Sequence, residues 1–248
     1  MEYARWAPVY ERIRQEFGFS WDREESAAAR LRSLLPVAAL ERPQERLTAR
    51  LRARDVVVVG LAPRAGPPPL WRQPFSPAGV AVVAADGAAA TCLEGGIVPD
   101  VVATDLDGPV PSEVTANRRG AVVVVHAHGD NEDLMDEWVP QFPGELAGSW
   151  AGPPRDGLLD VGGFTDGDRA AFLAEASGAA RLLLWGFDFT RADELNPEDR
   201  RRKESKLAWA ARSLGELAAS RPGLVWSWHR DGTLSPYSAA GIAGPSTR

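Results

Sequence analysis

The chain has 248 residues, 44% hydrophobic and 25% charged, with 34 acidic against 28 basic side chains and a formal net charge of -6. That balance excludes a disordered or fibrous chain and leaves no global basic field to draw in nucleic acid. The longest apolar runs, Val56 to Val59 and Val122 to Val125, fall far short of the ~20 residues of a membrane span, and Met1-Glu2-Tyr3-Ala4-Arg5 lacks a signal-peptide layout, so a cytoplasmic protein with no membrane partner is expected.

Residues 1–54 read as a small helical N-terminal region without strands. Trp6, Tyr10, Ile13 and Phe17 recur at helical spacing, and Ala28, Leu31, Leu34 and Leu35 share one face of a second segment that ends before Pro36. From residue 55 to 248 the texture becomes short β-branched runs closed by Gly or Asp, the pattern of buried parallel strands. The runs are Val56 to Val59, Val80 to Ala84, Val101 to Thr104, Val122 to His126, Leu182 to Trp185 and Leu224 to Trp228. Helical stretches from Asp166 to Gly178 and Asp199 to Ala219 lie among them, which predicts an α/β sandwich with a mostly parallel sheet. The tail after Asp231 reads as turn-like and peripheral.

Ligands gather at the carboxyl ends of strands in such sheets, and the unusual polar residues fall there. Thr104-Asp105-Leu106-Asp107-Gly108 follows an apolar strand, so two carboxylates leave the sheet together and can share one divalent cation. Oxygen-only ligation of this kind suits magnesium, although Asp and Gly are equally at home in a turn or cap. Cys92 is the only cysteine, which removes disulfide frameworks and cysteine-based zinc clusters.

Two known chemistries share parts of this pattern. Asp-x-Asp-Gly after a strand also marks haloacid-dehalogenase-type phosphatases, but there a lysine precedes the downstream acidic cluster, whereas Asp166 and Asp168 precede both lysines of this chain. His126-Ala127-His128-Gly129-Asp130 resembles the metallo-β-lactamase signature, yet Asn131 stands where another His belongs and only His229 remains downstream.

Among the 28 basic residues only Lys203 and Lys206 are lysine. A compact ammonium is not equivalent to a planar guanidinium at a crowded phosphate. At i, i+3 spacing the pair shares one helix face, which fits a polyphosphate and also fits an ordinary solvated face. Nucleic acid is the weaker partner for the Arg200-Arg201-Arg202-Lys203 run, because no aromatic interleaving accompanies it. Gly162-Gly163-Phe164-Thr165-Asp166 opens a helix with a Gly-rich turn, which presents free N–H groups to an anion and is also an ordinary capping arrangement.

Taken in order, Ala85-Asp86-Gly87-Ala88, Gly96 to Gly108, His126-Ala127-His128-Gly129-Asp130-Asn131, Gly163 to Ala170, Gly186-Phe187-Asp188-Phe189 and Lys203-x-x-Lys206-Leu207 resemble the archaeal-type 6-hydroxymethyl-7,8-dihydropterin pyrophosphokinase family, distant relatives of thiamine pyrophosphokinase. The resemblance implies a Rossmann-like three-layer sandwich and a magnesium-dependent transfer of pyrophosphate from ATP to the pterin hydroxymethyl group, in folate or tetrahydromethanopterin synthesis. It implies magnesium on Asp105 and Asp107, with Asp86 as a further ligand. Phosphate contacts are expected from Lys203, Lys206, Arg202, Arg169, Gly60 and Gly87, a general base among His126, His128 and Asp130, and pterin contacts from Asn131, Thr165, Asp166 and Asp168. Relatives also suggest a homodimer paired across a sheet edge. The loop Gly60-Leu61-Ala62-Pro63-Arg64 departs from the family pattern, since Arg64 replaces a Ser. Thiamine pyrophosphorylation and a non-catalytic nucleotide-binding module of a glycosylation system are the alternatives.

Overall fold

The structure is a computed structural model that describes residues 3–62, 65–73, 75, 78–190 and 197–240, with 197 and 198 as backbone only. Four helices open the chain: α1 (Tyr3–Phe17), α2 (Trp21–Leu34), α3 (Val37–Leu40) and α4 (Pro43–Leu51). α1 buries Trp6, Val9, Tyr10 and Ile13, the apolar stripe expected of its helical period.

Strands and helices then alternate: β1 (Asp55–Val59), β2 (Val80–Ala85), α5 (Ala88–Glu94), β3 (Val101–Thr104), α6 (Val110–Arg118), β4 (Val122–Ala127), α7 (Glu132–Trp138), β5 (Leu146–Trp150), β6 (Leu158–Leu159), α8 (Asp166–Ala176), β7 (Arg181–Trp185), α9 (Pro197–Ser220), β8 (Val225–Trp228) and β9 (Leu234–Pro236). Among the described residues they form one nine-stranded sheet in the order β6-β5-β4-β3-β2-β1-β7-β8-β9. Every pairing is parallel except β8 with β9. The α/β class with a mostly parallel sheet and a helical N-terminal region is therefore as the residue pattern foretold.

Side chains of a strand alternate between faces, so β1 sends Val57 and Val59 into one core and Val56 and Val58 into the other. The first core is closed by Ala27, Ala28 and Leu31 of α2 together with α5, α6 and α7. Leu47 and Leu51 of α4, much of α8, and Leu214 and Leu217 of α9 cover the second. The N-terminal helices thus pack on both faces of the sheet. Trp6, Val9, Tyr10 and Ile13 of α1 form a third cluster with Ala151 and Trp209 of the α/β body.

Three strands escape the sequence pattern. β5 reads Leu-Ala-Gly-Ser-Trp, without β-branched residues, and Gly148 is needed there because a Cβ would press on Leu158, Leu35 and Leu31. β6 is two residues long, too short for any periodicity. Of the tail after Asp231, the described residues up to 240 are not peripheral. Asp231 caps a turn by accepting from the Thr233 N–H at 2.9 Å, and the chain returns as β9 to bury Tyr237, whose hydroxyl donates to the Ala211 carbonyl at 3.1 Å.

The connection from β1 runs one way along the sheet and the connection from β7 the other, so a crevice opens between their carboxyl ends, where open α/β sheets bind ligands.

Candidate active site

Gly60 and Gly186 sit at that crevice. A Cβ on Gly60 would lie 2.7 Å from the Gly186 carbonyl, and one on Gly186 would lie 2.6 Å from the Gly60 carbonyl. Only glycine lets the two loops cross so closely. Gly87 lies behind Asp86, packed against Leu61 and Pro109.

Next to the crevice, β2 and β3 end in three carboxylates. Asp86, Asp105 and Asp107 each offer an oxygen within 4.8 Å of the others. Leu106 holds φ at +71° between the two β3 aspartates, a left-handed conformation that costs a leucine energy and is held by its fully buried side chain and an N–H bond to Thr104 Oγ1 at 2.9 Å. That twist turns Asp105 and Asp107 to the same side. Asp86 is itself at φ +46°.

Burial and mutual repulsion set the protonation of these carboxyls. Burial pushes the Asp105 carboxyl up, but the bonds from His128 and Asp107 overcome this and hold it below the usual range. Burial and then the Asp105 charge drive Asp107 up. Asp166, at the start of α8, is also raised by burial and by Asp105 and Asp86. Asp86, Asp105 and Asp107 form an all-oxygen donor set that a divalent cation would stabilise, and the residues present fit one. Glu113 of α6, fully buried, accepts from Thr104 Oγ1 at 3.0 Å. Burial and neighbouring Asp86 push its carboxyl up to about 9, so it stands as a neutral acid behind the cluster. Nothing in the sequence pattern singled out Glu113, which lies on a short helix of mixed character.

The other expected site residues separate into groups. Lys203 and Lys206 line a cleft of about 220 Å³ together with Gly60, Asp86, Thr165 and Asp166. His126, His128 and Arg169 line a smaller enclosed cavity next to it, with Asp105, Asp166 and Lys206. Asp166 and Lys206 are common to both spaces. His128 Nε2 lies 3.4 Å from Asp105 Oδ2. His126 is buried, its Nδ1 3.1 Å from Ser149 Oγ, and burial followed by the Arg169 charge lowers its basicity.

Several expected residues are occupied elsewhere. Asn131 donates to the Asp105 and His126 carbonyls, both at 2.8 Å, and accepts from the His128 N–H at 3.1 Å, so its amide ties the ends of β3 and β4 together. Asp168 accepts from the Phe164 and Thr165 N–H groups and from Thr165 Oγ1 at 2.7–2.9 Å, which closes a capping box on α8. Asp130 pairs at the surface with Arg23 at 3.0 Å. Arg202 turns from the cleft to cover Phe17 and Phe19, 5.2 and 5.9 Å from their ring centres. Arg64 lies outside the described residues.

The enclosed cavity also takes Tyr10 from α1, Phe19 from the α1–α2 turn and Phe164 from the turn before α8. At the sequence level Tyr10 was indistinguishable from its core neighbours on the same stripe, and Phe19 carried no motif.

The family profile described as 6-hydroxymethylpterin diphosphokinase MptE-like matches residues 77–194, which span the acidic cluster and the start of α8. A 6-hydroxymethyl-7,8-dihydropterin pyrophosphokinase from Pyrococcus furiosus is 43% identical over 190 residues, 77% of this chain and 79% of the relative. Proteins of the same description from Methanothermobacter thermautotrophicus and Methanocaldococcus jannaschii are 36% and 33% identical, over 92% and 76% of this chain and 100% and 80% of their own. The solved MAf glycosyltransferase from Magnetospirillum magneticum AMB-1 superposes with a TM-score of 0.45 at 14% identity, covering 76% of this chain and 35% of that one, a likeness too loose to carry an argument. On these identities and coverages the chain belongs to the 6-hydroxymethyl-7,8-dihydropterin pyrophosphokinase family.

Proposed function

We infer that the protein transfers pyrophosphate from ATP to the hydroxymethyl group of 6-hydroxymethyl-7,8-dihydropterin, with release of AMP. The observation that carries this reading is the placement of the Asp86, Asp105 and Asp107 cluster at the boundary between a lysine-lined cleft and an aromatic cavity. Such an arrangement suits a charged donor on one side and a flat acceptor on the other.

In the proposed reaction the acceptor alcohol oxygen forms a bond to the β-phosphorus. The bond from that phosphorus to the α–β bridging oxygen breaks, AMP departs, and the alcohol proton passes to a base. Asp86, Asp105 and Asp107 would hold magnesium, which when bound screens the triphosphate charge. Lys203 and Lys206 place two ammonium groups along the cleft wall, where they neutralise phosphate oxygens and hold the chain in line. We assign the alcohol proton to His128, which lines the cavity beside Asp105, rather than to His126, whose basicity burial lowers, or to Asp130, which is engaged with Arg23.

The test is to incubate the protein with ATP, magnesium and the dihydropterin and to measure AMP and the pterin diphosphate. AMP formed only with the dihydropterin supports the reading. AMP formed only with thiamine moves the protein to thiamine pyrophosphorylation, and nucleotide binding with no AMP from either acceptor makes it a binding module.

A further inference from the structure

Arg169 is 3% exposed, on the second turn of α8, and lines the enclosed cavity. Its Nε is buried without a hydrogen-bond partner, and the charges facing the guanidinium include those of Asp166 and Asp168. Burying a guanidinium N–H with no acceptor is unfavourable, and such a group is explained where a ligand supplies the acceptor. Asp168, the adjacent carboxylate, is turned to the α8 cap, where both of its oxygens accept hydrogen bonds, and it meets Arg169 through charge.

The walls around the guanidinium say what that ligand is like. Tyr10, Phe19 and Phe164 surround the space with aromatic surface, and Asp166 offers a carboxylate beside Arg169. Flat rings suit a flat guest, the guanidinium fork suits adjacent carbonyl and ring-nitrogen acceptors, and a carboxylate suits adjacent N–H donors. We propose that Arg169 determines acceptor specificity, donating to the carbonyl and ring-nitrogen edge of a bicyclic heterocycle held among Tyr10, Phe19 and Phe164. The proposal rests on the acceptor reading above and moves Arg169 from the triphosphate, where the sequence motif put it, to the ring.

The cavity has room for about 40 Å³ of water positions, a few waters, so a ring would enter only with wall groups such as Lys206 and Phe164 turned outward. Lys206 now stands 6.0 Å from the Phe164 ring centre and forms the wall shared with the cleft. A substituent passing between Asp166 and Lys206 would then reach the metal-type carboxylates.

The experiment uses the full chain and its R169K and R169Q variants. Binding of 6-hydroxymethylpterin is followed by its fluorescence, and KM is measured for the dihydropterin and for ATP. R169Q should weaken pterin binding and raise the dihydropterin KM about 10- to 100-fold, the worth of a charge-assisted bond. R169K, which keeps the charge and loses the fork, should fall between, and the ATP KM should stay within roughly twofold. A raised ATP KM with an unchanged dihydropterin KM would return Arg169 to the triphosphate and overturn the proposal. So would unchanged pterin binding in R169K and R169Q. Wild-type protein that binds the pterin but makes no AMP would sink the reaction reading alone, and the fluorescence titration would then decide the role of Arg169. Wild-type protein that does neither overturns both.

Discussion

Gly108 stands so close to Asp86 that a Cβ at position 108 would overlap both carboxylate oxygens of Asp86. The glycine that closes the Asp-x-Asp-Gly motif therefore serves the carboxylate of a different strand, clearing the space in which β2 and β3 bring their acids together. Gly108→Ala should leave the fold intact and displace Asp86. We expect turnover to fall on the order of 100-fold, as misplacement of reacting groups by about an ångström does, with weaker magnesium or manganese binding by calorimetry. Wild-type metal affinity in G108A would remove Asp86 from the ligand set.

Glu113 lends the cluster a pH dependence that can be isolated. A carboxyl raised in the folded state to about 9 from an ordinary 4.5 contributes stability that is complete below the lower value and is lost as pH rises through the upper one. Glu113→Gln keeps the shape and stays neutral. In chelator-treated protein, the thermal midpoint of wild type should fall more steeply from about pH 5 to about pH 9 than that of E113Q. Parallel curves would mean that Glu113 is ionised beside Asp86.

Lys206 and Lys203 should respond differently to arginine, because Lys206 borders both spaces and Lys203 only the cleft. Lys206→Arg puts a wider planar group between Phe164 and the carboxylates, and kcat/KM for ATP should drop roughly tenfold or more. Lys203→Arg should lose less, and Lys206→Ala should cost about 100-fold as a removed transition-state contact does. Steady-state kinetics with ATP varied reads all three, and full activity in K206R and K203R would return the lysine pair to coincidence.

Glu16 of α1 secures the helix that carries both lysines. It accepts from Trp209 Nε1 at 2.9 Å and from the Ser205 hydroxyl, both on α9. Glu16→Ala strands the indole N–H and should cost about 1 kcal/mol, a fall of roughly 2–4 °C in thermal midpoint at this length. The ATP KM should rise with it, while Glu16→Gln, which still accepts, should recover most of both. An unchanged midpoint in E16A would show that α1 and α9 are held by apolar packing alone.

The sequence by itself determined the elements whose burial is periodic. β1, β3 and β4 were legible because parallel strands covered on both faces must be continuously apolar, and α1 because its stripe repeats every three to four residues. The Asp105 and Asp107 pair was legible for a related reason: acids placed directly after such a strand leave the sheet together. Only the tertiary structure decided which residues face each other across the site. Glu113 and Asp86 belong to different elements, and Tyr10, Phe19 and Arg169 meet around one cavity although Tyr10 lies on a stripe that looks like any other core face. Periodicity reports that a side chain is buried, but what it is buried against depends on how distant helices and loops pack.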